Sequence, residues 1–204
     1  MERGIWVSGT GAASGPRDEC VVTIGAEVRR PAAAAALAAA GDSLEGMRRV
    51  LLEAGVAEGA LSTSGVSLSP VYAEYPTVAG FQAAVQLAAT TRDIAAVGRL
   101  LGEVVAAGGD AARVHDVAFR HADPTALQAR ARAAAWADAR DRATQLAELA
   151  GRSLGEVLAV DESTGGHRPP GPMRMAAMES TAAVALDSGE GSVAVTLRVG
   201  WSLL

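Results

Sequence analysis

The stretch 80–93, GFQAAVQLAATTRD, decides the fold. Phe81, Ala83, Val85, Leu87 and Ala89 alternate with residues of the opposite side that include Gln82 and Gln86, the period of a strand with one face on a core and the other toward water. Past Asp93 the period changes. Ile94, Val97, Leu100, Leu101, Val104 and Val105 make one helical face with Arg99 and Glu103 opposite, up to Gly108–Gly109. A strand over 113–120 follows, and then Asp123–Pro124, a capping residue with proline in the first turn, opens a long helix that Gly151 closes. Ala135, Ala139, Leu146 and Ala150, flanked by Trp136, Ala143 and Ala147, define its apolar face. Asp138 and Arg142, four apart, form an exposed pair worth about 0.3–0.5 kcal/mol.

Upstream, short strands are expected at 4–8 and 19–28, joined by the glycine-rich link GTGAASGPRD. A helix over 31–54 shows Leu37, Leu44, Met47 and Leu51 on one face; Gly55 ends it, and Gly41–Asp42 is a point where it could divide. Strands over 61–72 and 78–91 flank a turn near Glu74–Pro76. Downstream, a strand at 156–161 precedes a Gly/Pro/Met-rich segment at about 164–180, expected to be a mobile loop. The chain ends in a clean alternation of Val193, Val195, Leu197, Val199, Trp201 and Leu203, so regular that this strand should lie inside a sheet. From Glu19 to Arg120 the order is strand, helix, strand, strand, helix, strand, the ferredoxin-like βαββαβ arrangement. The fold class is therefore α+β: a mixed, mainly antiparallel sheet with about three helices packed on it, in one domain spanning 1–204.

Half of the 204 residues are hydrophobic but only 3% are aromatic, so the core must consist of Ala, Val and Leu in close contact. All basic residues are arginine and they are dispersed; with a net charge of −5 this argues against a nucleic-acid surface. Cys20 is the one cysteine, which rules out an intramolecular disulfide, and its place in the alternation with Val22, Ile24, Ala26 and Val28 predicts an inward side chain. No apolar segment reaches membrane-spanning length. The start MERGIWVSG lacks the pattern of a secretory leader, and on that ground the expected location is the cytoplasm.

Several segments, in order, resemble the SIMPL-domain family. They are VSGTG at 7–11 with Pro16 and Asp18, MRRVLLEAGV at 47–56, LSTSGVSLSPVY at 61–72, VAGFQAAVQL at 78–87 and RDIAAVGRLL at 92–101. The long helix with its exit, ARAAAWADARDRATQLAELAGRSLGEV at 131–157, and the terminal GSVAVTL at 191–197 complete the series. The resemblance covers nearly the whole chain and is weakest at 164–180. It implies an α+β fold and a tendency toward homo-oligomers, including ring-like or channel-like ones, and it carries no established catalytic residues. The family includes exported bacterial proteins, periplasmic and outer-membrane, and this chain departs from them in showing no export signal.

Candidate chemistry is sparse. Gly9–Gly15 resembles a phosphate loop, but a strand follows it where a dinucleotide fingerprint needs a helix N-terminus. The three histidines are His115, His121 and His167; His115 and His121 sit six apart on a presumed strand, about 20 Å when extended, too far to share an ion. Asp116 and Asp123 could neighbour these imidazoles. Ser62, Ser64 and Ser67 lack a nucleophile elbow. Met173, Met175 and Met178, beside prolines and arginines in the segment 165–178, suit adaptable binding of a protein partner. No catalytic, cofactor-binding or metal-ligating set is assigned, and no cofactor is expected. The leading expectation is a non-enzymatic oligomeric assembly or protein-interaction module. The alternative is a small-ligand-binding protein or unrecognised hydrolase with its site at an oligomer interface, for which Tyr72, Tyr75, Arg113, His115 and Asp116 are the candidates. A membrane pore would need a lipid-facing apolar belt, whereas each strand here has a polar side.

Overall fold

A computed structural model describes residues 4–163 and 186–204. The expected mobile loop at 164–180 lies outside the described residues, as do Met173, Met175, Met178 and His167. Three α-helices and two antiparallel sheets make up the described chain, an α+β fold. In order the elements are β1 (Gly4–Pro16), β2 (Glu19–Arg30), α1 (Ala33–Glu53), β3 (Leu61–Glu74), β4 (Thr77–Thr91), α2 (Val97–Gly108), β5 (Ala112–Arg120), α3 (Thr125–Leu149), β6 (Leu154–Ser163) and β7 (Glu190–Leu203). They fall into two compact units. One holds β1, α3, β6 and β7, and the other holds β2 to β5 with α1 and α2.

The second unit is the βαββαβ arrangement, with strand order β3-β4-β2-β5 and every pair antiparallel. Alternation in β2 and β4 places Cys20, Val22, Ile24, Ala26 and Val28 beside Ala83, Val85, Leu87 and Ala89, all buried under the two helices. α1 is unbroken through Gly41–Asp42 and contributes Ala36, Ala40, Met47 and Leu51 to this core. Leu37, expected inside, is half exposed, because the contact is made by the small Ala36 and Ala40 on either side of it. α2 buries Val97, Leu100, Leu101 and Val104, while Val105 faces outward. A 3-10 turn at Ile94–Ala96, capped by the Asp93 carboxylate on the Ala96 amide at 3.1 Å, leads into α2. The helix therefore begins later than its apolar period suggests. After the undescribed segment the chain rejoins this unit at Leu186, which packs against its core, and at Ser188, whose carbonyl accepts a 3.0 Å bond from the Arg17 guanidinium.

The first unit has strand order β1-β7-β6. The terminal strand β7 is its centre, as its alternation predicts, with Val193, Val195, Leu197, Val199 and Trp201 all buried. The expected link GTGAASGPRD is not a connection. β1 runs through its glycines to Pro16 and pairs residue by residue with β7, including Gly9 with Leu197 and Gly11 with Val195.

The reason lies in α3. Its buried face is Ala131, Ala135, Ala139, Ala143 and Ala147, a strict every-fourth-residue ridge, while the expected Leu146 and Ala150 are exposed. This ridge rests directly on β1. A Cβ placed on Gly9 would collide with the backbone of Ala135 and Ala139, and one on Gly11 with that of Ala131 and Ala135. Trp136 flanks the ridge and meets Trp201 with ring centroids 6.0 Å apart. A single pleated layer carrying all three helices gives way to two sheets, because this contact reserves α3 for the glycine-bearing strand. Substituting Gly9→Ala or Gly11→Ala should lower unfolding stability by about 3 kcal/mol or more, since the obstacle is backbone and not a side chain that can turn away. Urea denaturation would show it as a fall in the midpoint.

Candidate functional site

The residues singled out for an interfacial pocket do not meet within one chain. Tyr72 and Tyr75 sit at the β3–β4 turn with ring centroids 5.4 Å apart, and Tyr75 is 85% exposed. Arg113, His115 and Asp116 belong to β5, at the other edge of the same sheet. Three strand spacings, about 14 Å, separate the two edge strands. Both groups are solvated, so no enclosed pocket holds them.

On β5 the register with β2 slips between Asp116, opposite Thr23, and Val114, opposite Ile24, leaving His115 as the extra residue of a bulge. Its imidazole lies over Gly25, where a Cβ would come within 2.9 Å of Nε2. Arg113 donates to the carbonyls of Asp110 and Ala112 and lies 3.8 Å from Glu27. The result is a solvated polar strand, with the arginine occupied by its own neighbours. His121 follows the end of β5, and its Nε2 is enclosed without a hydrogen-bond partner among the described residues. Asp123 stands at the start of α3, where bonds from the Thr125 hydroxyl and then the Thr125 amide, the latter 2.9 Å, hold its carboxyl below the ordinary value. Among the described residues, no three His, Cys, Asp or Glu side chains come together as metal ligands. Ser62, Ser64 and Ser67 line exposed β3.

Cys20 is fully buried between β4 and β5. Burial first, and the nearby Asp116 carboxylate second, push its thiol from 9.0 up to about 11. A thiolate is the reactive form of cysteine, so this one is held inert at neutral pH.

Hollows among the described residues include two of different kinds. One, about 10 Å³ within the core of the second unit, is lined by apolar groups such as Ile24, Leu51 and Val97; it is too small for a ligand and lacks polar partners for a water. The other is an open cleft of about 390 Å³ beside β1, lined by Val7, Ser8, Arg142, Gln145, Leu146 and Leu149. Its one charge is already engaged. Arg142 donates to Asp138 at 3.0 Å and to the Ser8 carbonyl at 3.1 Å, while the other Asp138 oxygen accepts the Thr10 amide at 2.8 Å.

The Asp138–Arg142 pair was visible in the sequence as a helix-surface contact, but its partner strand was not. The pair satisfies the outward amide and carbonyl of an edge strand, as a neighbouring strand would. No helix among the described residues is long and apolar enough to cross a membrane.

Two α+β units, the βαββαβ one inserted in the chain sequence between β1 and α3, and no assembled catalytic centre among the described residues, define a fold-level class and no reaction. The chain belongs to the SIMPL family, described as a protein of unknown function (DUF541), whose model matches residues 5–201 and so spans both units. It is similar to the 26 kDa periplasmic immunogenic protein of Brucella melitensis biotype 1, 28% identical over 215 aligned positions that cover 96% of this chain and 82% of the relative. The protein of the same name from Brucella abortus strain S19 matches to the same extent. These relatives are named as periplasmic, and that overturns the cytoplasmic expectation. The expectation had leaned on a missing leader, and where a sequence happens to begin carries no information about location.

Two outcomes follow. Asp138→Ala should cost about 1 kcal/mol, because it removes the charged acceptor of the exposed Thr10 amide, which water then takes over, and releases Arg142; a chemical denaturation curve against Arg142→Lys would measure it. The Cys20 thiol, raised in the folded state, contributes stability that is complete below pH 9 and is lost as pH climbs from 9 toward 11. The loss should be about 2–3 kcal/mol. Comparing wild type with Cys20→Ala across that range should show the extra slope only in the wild type, and a maleimide should leave the native thiol unlabelled at pH 7.

Proposed function

We propose that this protein is a non-enzymatic SIMPL-domain module that works in the periplasm as a homo-oligomeric assembly or protein-interaction unit. The observation that carries the reading is the arrangement of its polar side chains. Tyr72 and Tyr75 are separated from Arg113, His115 and Asp116 by the width of a sheet, and the charged groups at the open cleft are spent on the edge of β1. Among the described residues, surface and strand edge are what this reading leaves for function.

The compartment is inferred from the relatives, whose printed names place them in the periplasm. Assembly is inferred from the exposed apolar residues of the β3–β4 hairpin, Val66, Leu68, Tyr72, Tyr75 and Val78. Such side chains, gathered on one ribbon, suit contact with another protein surface.

Native mass spectrometry of protein recovered from a periplasmic extract tests this reading. The expected result is an integral multiple of the 20.6 kDa chain or a stoichiometric complex with another protein. A lone chain persisting at tens of micromolar would remove the assembly reading. A retained small molecule would favour a ligand-binding protein instead, and turnover of ester or peptide substrates by the purified protein would remove the non-enzymatic reading.

A further inference from the structure

Among the described residues the two sheets present four terminal strands, β1 and β6 in one unit and β3 and β5 in the other. Three are guarded. The outward Thr10 amide and Ser8 carbonyl of β1 are bonded by Asp138 and Arg142. β6 carries Glu156, Asp161 and Glu162, and β5 carries Arg113, Asp116 and Arg120 together with the bulge at His115. Charges and bulges of this kind are how proteins keep sheet edges from pairing with other chains.

β3 differs. From Leu61 to Ala73 it has no charged residue, and although its pairing with β4 shifts register at Thr63/Gly65 and again between Val71 and Glu74, the stretch from Gly65 to Val71 between them is regular. Val66 stands opposite Val85 and Leu68 opposite Ala83, on the face that the helices cover. Val85 and Ala83 are buried, yet Val66 is 63% and Leu68 45% exposed. The apolar layer of the sheet thus runs one strand beyond its helical cover.

Building on the assembly reading above, we infer that β3 is a self-pairing edge. A second copy of this chain docks its own β3 antiparallel about a two-fold axis at Ser67, joining two four-stranded sheets into one. The occupant is a second copy because the strand is self-complementary. Centring the axis at Ser67 sets Val66 against Leu68 of the other copy on the apolar face, and Gly65 against Ser69 on the polar one. With no charge on the strand, no like charges meet, a condition that directly opposed residues must satisfy. A two-fold pairing also closes on itself and does not propagate into a fibre. Pro70, which has no amide to donate, stands opposite Ser64 of the other copy, and by the two-fold symmetry this limits the run at both ends.

The register makes a specific prediction. Directly opposed residues in an antiparallel pair have Cα atoms about 4.5–5.5 Å apart, inside the range for a disulfide. Ser67→Cys should therefore form a covalent dimer on mild oxidation. Ser69→Cys, whose counterpart in the other copy lies about four residues along the strand, should not. The double substitution Val66→Lys with Leu68→Lys sets lysines opposite each other and should raise the dimer dissociation constant at least tenfold by light scattering, with circular dichroism confirming the fold. The cysteine variants keep the question open to refutation if the lysine variant does not fold.

If the wild type is multimeric but the lysine variant keeps its full mass and Ser67→Cys stays uncrosslinked, the β3 edge is wrong and the assembly reading stands. A monomeric wild type removes both. Equal crosslinking of Ser67→Cys and Ser69→Cys would overturn the register. Capture of a different protein by Ser67→Cys in extract, with none between purified copies, would overturn the second copy as occupant.

Discussion

The contact between the alanine ridge of α3 and the two glycines of β1 governs the first unit. A helix axis ordinarily stands off a sheet by the thickness of two side-chain layers. Here one layer is absent at Gly9 and Gly11, and the other is reduced to methyl groups. The helix backbone comes close enough for Asp138 and Arg142 to reach the edge of β1. Close packing and edge protection therefore share one cause. The same approach holds β1 against β7 for its full length and turns a glycine-rich run into a continuous strand.

A core nearly without aromatics has a second effect in the other unit. α1 buries Ala36 and Ala40 where Leu37 was expected, so α1, α2 and the sheet are packed tightly in the middle of the unit. Among the described residues that cover does not extend over β3, and Val66 and Leu68 are exposed. Small-residue packing makes a dense centre and a bare margin, and the margin is where the surface chemistry of this protein lies. Ion pairs such as Arg99–Glu103 and Arg120–Glu19, 2.6 Å and 2.5 Å, are exposed on at least one side and add little to that balance.

Family membership and physical reading agree on the α+β class and stop at the same place. The relatives' names state a compartment and a response to them as antigens, and they state no reaction. Among the described residues the titratable groups are spread over strand edges, caps and solvated faces. The unpartnered Nε2 of His121 and the raised Cys20 thiol are isolated features with no neighbouring nucleophile or ligand set.

Element identity was legible in the sequence wherever the period was strong. β4 and β7 follow from strict alternation, α2 from a well-ordered apolar stripe, and the start of α3 from Asp123–Pro124. The inward Cys20 follows from its neighbours in β2. Periodicity reports which side of an element is apolar, and says nothing about which other element that side meets. The division into two sheets, the central place of the last strand and the closure of β1 by β7 were therefore decided only in three dimensions, by pairing between residues almost two hundred positions apart. The glycines of β1 show the limit most clearly. Taken alone they signal a flexible link, because glycine loses the most freedom when ordered, and only the arrival of a helix that tolerates no Cβ makes them the right residues for a strand.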